Sequence, residues 1–437
     1  MNRRDKTLRP GMSRGIAPAT ILLACLAPAG CSDLLDVSLP GNVTESDLGP
    51  SNAETLALSI QGNMEYAWSQ YSEVAAHHSD EFDQRSGNRQ TKRHGLRLFD
   101  PSFQFYIERV WTPLHQTYQE HIEFAGRIEE FPADDVPNKA DLLATINAYG
   151  PWPLIALAEG MCGSPIDGGD VLGVSALFSL AEQEFGEALS AAGTVGNTRL
   201  ETMARVGRAR ARIGLEDFAG AISDAAMVPE GFKFMVTRDA NPERRQNRIF
   251  DRLGEDAGAR RGNVTKNYHE VEWKGMPDPR IQVRFTGELS FDFVTEHVSL
   301  ANKHLSFDED MLLASWEEAQ MFIADASARS GDLDMARDIL NDFHRRAGIA
   351  PVTEEDIPTR DDVIRHVIQE RNREFFAESG HRMFDHNRWR GTQFDIPFLG
   401  EPGSAWPDGV DVHGERFGDT TCFPVPRNEG AITERIP

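Results

Sequence analysis

Positive charge is the first thing this sequence is short of. Its 437 residues hold 45 Lys and Arg against 69 Asp and Glu, a formal net charge of -24. Nucleic acid calls for a basic face, so the balance excludes it as a partner, and it argues equally against electrostatic docking onto anionic lipid. Cysteine is scarce, with four in the chain, and no two form a CxxC pair. Catalytic signatures are missing too: there is no Gly-rich phosphate loop and no HExxH. The single GxSxG match, Gly11 to Gly15, falls in an N-terminal leader without the strand-turn-helix setting of a nucleophile elbow. No enzyme, cofactor or metal site is therefore expected. A glycosidase is the one enzymatic alternative, because its two carboxylates are set by distance in space and leave no fixed spacing. Past residue 30 no apolar run is a better candidate for a membrane span.

What is present begins with that leader. Arg3, Arg4, Lys6, Arg9 and Arg14 precede an apolar run from Ile16 to Gly30, too short to span a bilayer comfortably and patterned as a secretory signal. Pro28-Ala29-Gly30-Cys31 places small residues before a cysteine in the manner of a bacterial lipobox, with Pro28 where Leu is usual. Leu22-Leu23-Ala24-Cys25 is a competing site. The reading is a lipoprotein signal over 1–30, lipidation at Cys31, and a Pro/Gly-containing tether over 31–50.

The body, 51–437, reads as mainly α. Leu56, Leu58, Ile60, Met64 and Trp68 have helical spacing within Glu54 to Tyr71, and a second helix is expected from about Glu108 to Phe131. Between them, His77-His78-Ser79-Asp80-Glu81-Phe82-Asp83 offers paired histidines beside carboxylates, weak evidence for a metal in so acidic a chain. An internal repeat follows. Ala211-Arg212-x-Gly214-x-x-Asp217-x-Ala219-x-x-Ile222 returns as Ala328-Arg329-x-Gly331-x-x-Asp334-x-Ala336-x-x-Ile339. Each copy predicts a helix stopped by a glycine in a left-handed turn, then a second helix closely packed through alanines, as in tetratricopeptide repeats. Hairpins are predicted at about 139–192, 200–228 and 311–390. They form an α-α superhelical scaffold, interrupted by an irregular insertion at about 229–310 and followed by a loop-rich tail at 391–437. In the insertion, Arg280 to Phe285 alternates as a short strand.

Val363 to Arg390 carries the densest signal. Val363, Val367, Arg371 and Phe375 lie four apart and predict an amphipathic helix ended by Gly380. The surrounding charges predict an ion-paired knot of Glu370, Arg371, Glu374, Arg382, Asp385 and Arg388, in which Glu370, Glu374 or Glu378 meets Arg371, Arg382 or Arg388. The order Glu370-Arg371, Glu374-Phe375, Glu378, Gly380, Arg382, Asp385, Arg388-Trp389 resembles the C-terminal signature of the SusD/RagB family of nutrient-binding outer-membrane lipoproteins. Ser32 to Asp36, Asp278-Pro279-Arg280 and the closing Phe423 to Glu429 resemble further family segments, although the family's Asn-Pro after the closing motif is replaced by Ile432-Thr433-Glu434.

The resemblance implies a SusD-like fold. It also implies a lipid-anchored, surface-exposed outer-membrane protein that binds a nutrient, most often a glycan, and passes it without chemistry to a SusC-like TonB-dependent transporter. A helical scaffold that binds peptide or protein is the other non-enzymatic alternative. In an oxidising compartment, Cys162 and Cys422 remain either as a disulfide, the expected state, or as two buried thiols. Sugar rings are held on aromatic faces with amides and carboxylates at their hydroxyls. Trp273 and Tyr268, beside Asn267, Glu270 and Lys274, are accordingly the first ligand-binding candidates, with Trp406 in the loop from Gly403 to Gly409 another.

Overall fold

A computed structural model of the chain describes residues 48–255 and 260–427. The leader over 1–30, Cys31, nearly all of the tether, and the closing motif beyond Arg427 lie outside these residues. From Leu48 onward the chain forms one unit.

The helices, in order, are α1 Ala53–His78, α2 Arg89–Gly95, α3 Gln104–Tyr106 and α4 Thr112–Glu130, the last two joined by a π turn at Ile107–Trp111. Then come α5 Lys139–Tyr149, α6 Trp152–Gly160, α7 Val174–Thr194, α8 Thr198–Gly214, α9 Phe218–Ala225 and α10 Arg248–Leu253. The last four are α11 Trp316–Ser330, α12 Leu333–Ala347, α13 Arg360–Glu374 and α14 His381–Trp389. The strands are short: β1 Phe82–Gln84, β2 Ser164–Pro165, β3 Val171–Leu172, β4 Lys233–Val236, β5 Gly262–Val264, β6 Glu272–Trp273, β7 Met276–Pro277, β8 Val283–Leu289, β9 Glu296–Leu300 and β10 Met311–Ser315. They pair antiparallel in twos, β1 with β5, β2 with β3, β4 with β10, β6 with β7 and β8 with β9.

Helix α1 is the axis of the body. Its first half buries a stripe through Leu56, Ile60 and Met64, and from Ala67 to His78 every residue is buried. A helix covered on all faces needs neighbours all round, and α1 packs against α4, α5, α6, α10 and α14. The expected hairpins are present. Helix α7 presents Leu177, Phe178, Ala181, Phe185, Ala188 and Ala192 along one buried face, against α5, α6 and α8.

The repeated glycine serves different ends in its two copies. Gly331 adopts φ 96° and makes the expected left-handed turn between α11 and α12. In the earlier copy the left-handed residue is Glu216, at φ 61°. Gly214 is instead the last residue of α8, and it is a glycine where the Phe178 ring lies so close that a Cβ would come within 2.5 Å of it. Asp217 and Asp332 cap the second helices, accepting from Gly220 N–H and Met335 N–H.

The last long helix is shorter than its periodicity suggests. A capping box of Thr359 and Asp362 starts α13, which ends at Glu374 instead of Gly380. Ala377, Ser379 and Gly380 all take positive φ and reverse the chain into α14. Gly380 sits at the start of α14, where a Cβ would come within 2.5 Å of Tyr71 on α1. The strand expected at 280–285 is displaced to Val283–Leu289, since Arg280 folds back on Asp278 through Nε to Oδ1 at 2.9 Å and Nη2 to Oδ2 at 2.7 Å. Cys162 and Cys422 are bonded, with their Cα atoms 5.1 Å apart, tying the end of α6 to the tail.

Candidate functional site

The charged residues of α13 and α14 form a buried network, with partners that differ from the expected ones. Arg382 donates from Nε and Nη2 to the two oxygens of Asp80, both at 2.6 Å, and Arg371 donates from Nε to Asp385 at 3.2 Å. Arg388 bridges Asp385 and Asp325. Glu370 and Glu374 instead receive Arg280 of the insertion, at 2.6 and 3.3 Å, and Glu378 receives Lys303 at 2.8 Å. The reason is rotational. Residues 370 and 374 share one helix face, turned toward the insertion, whereas Arg371 lies about 100° round the helix and faces α14.

The network reaches further than the C-terminal stretch. Arg210 of α8, with no exposed surface, binds Glu159 of α6 through two 2.6 Å contacts, Glu318 of α11 at 3.1 Å and Ser379 O at 2.9 Å. Burial disfavours the Asp80 carboxylate, but Arg382 and His386 hold it well below its ordinary range. Glu370 is likewise opposed by burial, yet a hydrogen bond from His344 and the Arg280 guanidinium hold it at about 2. Glu81, next to Asp80, is pushed up to about 8 by burial, and among the described residues no guanidinium bonds it. This arrangement ties α6, α8, α11, α13 and α14 to one another and to the insertion through paired charges, so its chemistry is that of a clasp.

The residues His77 to Asp83 do not converge on one point. His77 turns to Glu73 at 3.1 Å, His78 packs among His94, Phe398 and Phe423, and Asp80 faces Arg382. Among the described residues, donors suited to a metal converge at His344, His366 and Glu370, all buried. There Glu370 is already engaged by Arg280 and by Arg373 Nη1 at 3.2 Å, and His344 Nδ1 donates to Ala350 O. No spacing in the chain points to this cluster, whose members come from α12 and α13.

The aromatic candidates separate. Tyr268 is only 2% exposed: its ring stacks on Phe376 and its hydroxyl lies 3.1 Å from Asp80 Oδ1 and 2.9 Å from Asn372 Oδ1. Its role as a sugar platform is therefore corrected to that of a core residue sealing the clasp. Trp273, in the β6–β7 hairpin, is half-buried edge-on against His344 and His366, with Lys274 and Arg373 beside its ring. Lys274 is held by Asp356 at 2.6 Å. Trp406 is half-buried in the tail; its indole N–H donates to Asp83 at 2.7 Å and Lys266 stands over its ring.

A different surface gathers aromatic faces and open hydrogen-bonding groups. A hollow of about 460 Å³ is lined by Ser86, Gly87, Asn88 and Thr91 before and within α2, Phe105 of α3, Arg109 of the π turn, Arg252 of α10, Arg261 ahead of β5, and Phe291 between β8 and β9. Local structure fixes each wall. Asn88 caps α2 through Gln90 N–H and Thr91 N–H, and Asn247 caps α10 through Ile249 N–H and Phe250 N–H. The Phe291 ring lies on Gly87, where a Cβ would come within 2.8 Å. Phe291 and Phe293 remain 42% and 75% exposed at the hairpin tip, an unusual display for rings that packing would otherwise cover. Arg85, which binds Asp83 at 3.2 Å and Asp292 at 3.4 Å, ties the Phe291 hairpin to the strand whose Asp83 holds Trp406. Arg109, Arg252 and Arg261 escaped the sequence reading because they lie far apart in the chain and meet only where the π turn, α10 and the start of β5 come together.

Residues 319–415 match the family model of the SusD family. The fold is shared with solved structures at low identity. A SusD superfamily protein from Bacteroides vulgatus is 13% identical with a TM-score of 0.65, covering 88% of this chain and 97% of its own. A SusD-like carbohydrate binding protein from the same species has the same identity and score, with coverages of 89% and 97%. A SusD superfamily protein from Parabacteroides distasonis is 13% identical at 0.62, covering 86% and 96%. No curated protein matches the chain. The matched segment, 319–415, runs through α11 to α14 and holds Glu370, Arg371, Arg382 and Asp385 of the clasp: over it the chain is similar to the SusD family, and along nearly nine-tenths of its length it shares the fold of SusD superfamily structures.

Proposed function

We propose that the protein is a non-enzymatic binder of an oligosaccharide or polysaccharide, which it holds at the hollow between α2, α3 and the β8–β9 hairpin. The observation that carries this reading is the wall itself. Two phenyl rings, Phe105 and Phe291, stand beside the amide of Asn88, the hydroxyl of Ser86 and three guanidiniums, the mixture of flat apolar faces and hydrogen-bonding groups that suits a pyranose. The carbohydrate-binding name of one structural neighbour supports the same ligand class. Trp406 lies outside this wall, and Trp273 belongs to a separate face over α12 and α13.

The rest of the proposal follows from the family resemblance. The chain is anchored through lipid on Cys31 in the outer membrane, exposed at the surface, and hands its ligand to a SusC-like TonB-dependent transporter. No helix of the described residues is long and apolar enough to cross a membrane, in keeping with attachment by lipid alone.

The purified chain is expected to be retarded in native gels containing its glycan and to release no new reducing ends from it. Phe291→Ala should abolish the retardation while leaving the melting temperature unchanged. Turnover of a glycan, or unchanged binding in Phe291→Ala, would overturn the function or the site respectively.

A further inference from the structure

We propose that this hollow is built for an anionic glycan, one whose units carry carboxylates or sulfate esters; the proposal rests on the glycan-binding reading and narrows its ligand class. The chain has 24 more acidic than basic side chains, so a wall without carboxylates is against the grain of its composition. Four other hollows in the body each bring at least one acidic side chain: Glu374 and Glu378 in one, Asp83, Glu243 and Glu255 in the others. Among the described residues, the 460 Å³ hollow is lined by Arg109, Arg252 and Arg261 and by no acid.

How these arginines are held separates structural from available charge. Arg252 is answered from behind by Glu73 and Asp251, each 3.5 Å from its Nε. Among the described residues Arg109 and Arg261 have no carboxylate within ion-pair distance. Arg109 donates only to the Gln70 side chain, at 3.3 Å, and stands over the Phe105 ring at 5.2 Å. Arg261 stands over Phe291 at 6.0 Å. The nearest acid in sequence to that ring, Asp292, is taken by Arg85 and His413.

An aromatic face orients a guanidinium without consuming its N–H groups, so the Arg261 fork, and the N–H groups of Arg109 not given to Gln70, stay available to an anionic acceptor. Placing Arg109 among Arg248 and Arg252 has a cost: burial, then the Arg248 charge, pulls its pKa down. A bound anion removes that cost. Arg109 also lines a neighbouring hollow of about 310 Å³, where Arg244 lies 4.1 Å over Tyr66. That hollow sets Glu108 and Glu243 beside Arg244 and Arg248, so the acid-free wall ends at Arg109.

The test is affinity electrophoresis of the full-length chain in gels containing polygalacturonate, chondroitin sulfate, or the neutral polymers mannan and dextran, with oligothymidylate as a competing polyanion. Retardation is expected in one or both acidic glycans, weakening as salt is raised. Arg109→Gln and Arg261→Gln should each weaken it roughly tenfold, the scale of a charge-assisted hydrogen bond. Because neither change orphans a carboxylate, both variants should melt as the wild type does. Neutral glycans retained equally well, and equally by the Arg109→Gln/Arg261→Gln double variant, would overturn this inference while leaving glycan binding standing. Retention of no glycan at all would overturn both. Displacement by oligothymidylate as effective as by polygalacturonate would make the surface a general anion site and overturn the glycan assignment.

Discussion

Replacing Arg382 by Met tests whether the family signature is a clasp. In the wild type, Arg382 meets Asp80 through two 2.6 Å hydrogen bonds, with Arg382 9% and Asp80 3% exposed. Met keeps most of the apolar stem and removes the charge, leaving a buried carboxylate with His386 and the Tyr268 hydroxyl as its remaining polar neighbours. Breaking one side of a buried pair costs about 3–5 kcal/mol, which should appear as a large shift in the urea midpoint at pH 7. The pH dependence sharpens the test. Wild-type Asp80 has its folded pKa far below the unfolded value of about 3.9, so its stabilisation is present above that value and is lost only in strong acid. Without Arg382, burial dominates, the folded pKa rises above the unfolded one, and the sign reverses: the variant recovers as pH falls and Asp80 takes up a proton. The stability gap should therefore narrow between pH 7 and pH 4.5, and adding Asp80→Asn should restore part of the loss. A loss below about 1 kcal/mol, or a gap that does not change with pH, would refute the reasoning. So would a variant of wild-type stability that has lost only ligand binding.

Two further outcomes follow from the same region and from the tail. Glu81 is pushed up to about 8 by burial, and its Oε1 accepts from Ala377 N–H at 2.7 Å. With the folded pKa above the unfolded one, it costs stability progressively from about pH 4.5 to pH 8. Glu81→Gln keeps the acceptor, so it should be nearly neutral at pH 4 and stabilising at pH 8 in paired melts; equal effects at both pH values would contradict the shift. The Cys162–Cys422 bond closes a loop of 260 residues in sequence separation, for which chain entropy predicts a stabilisation on the order of 5 kcal/mol. Reduction should lower the melting temperature and convert no titratable thiols into two under denaturant, and two thiols before reduction would rule the bond out.

Much of the scaffold was legible in advance because its signals are local. The alanine-rich repeat announced α8–α9 and α11–α12, since capping by Asp217 and Asp332 and close packing through alanines depend on residues a few positions apart. The charged C-terminal stretch was equally conspicuous. Its pairing was not legible, because Asp80 lies 302 residues from Arg382 and Arg210 lies 108 from Glu318. Periodicity also carried α13 too far: nothing in the spacing of Val363, Val367, Arg371 and Phe375 reports that Gly380 must meet Tyr71, or that the chain reverses after Glu374.

The candidate site was the least readable part. Tyr268 and Trp273 looked equivalent in sequence, two aromatics amid polar residues, yet one stacks on Phe376 in the core and the other lies half-covered against two histidines. By itself the sequence determined the mainly helical class, the repeat and the charged C-terminal signature, because each is written in short-range composition, spacing and caps. Tertiary structure alone decided which charges are spent and which are free. Arg382 and Arg210 are consumed by buried carboxylates, while among the described residues Arg109 and Arg261 face a hollow with aromatic and amide support alone. An arginine's availability depends on whether a carboxylate from a distant segment arrives within hydrogen-bonding reach, and only the folded chain sets that distance.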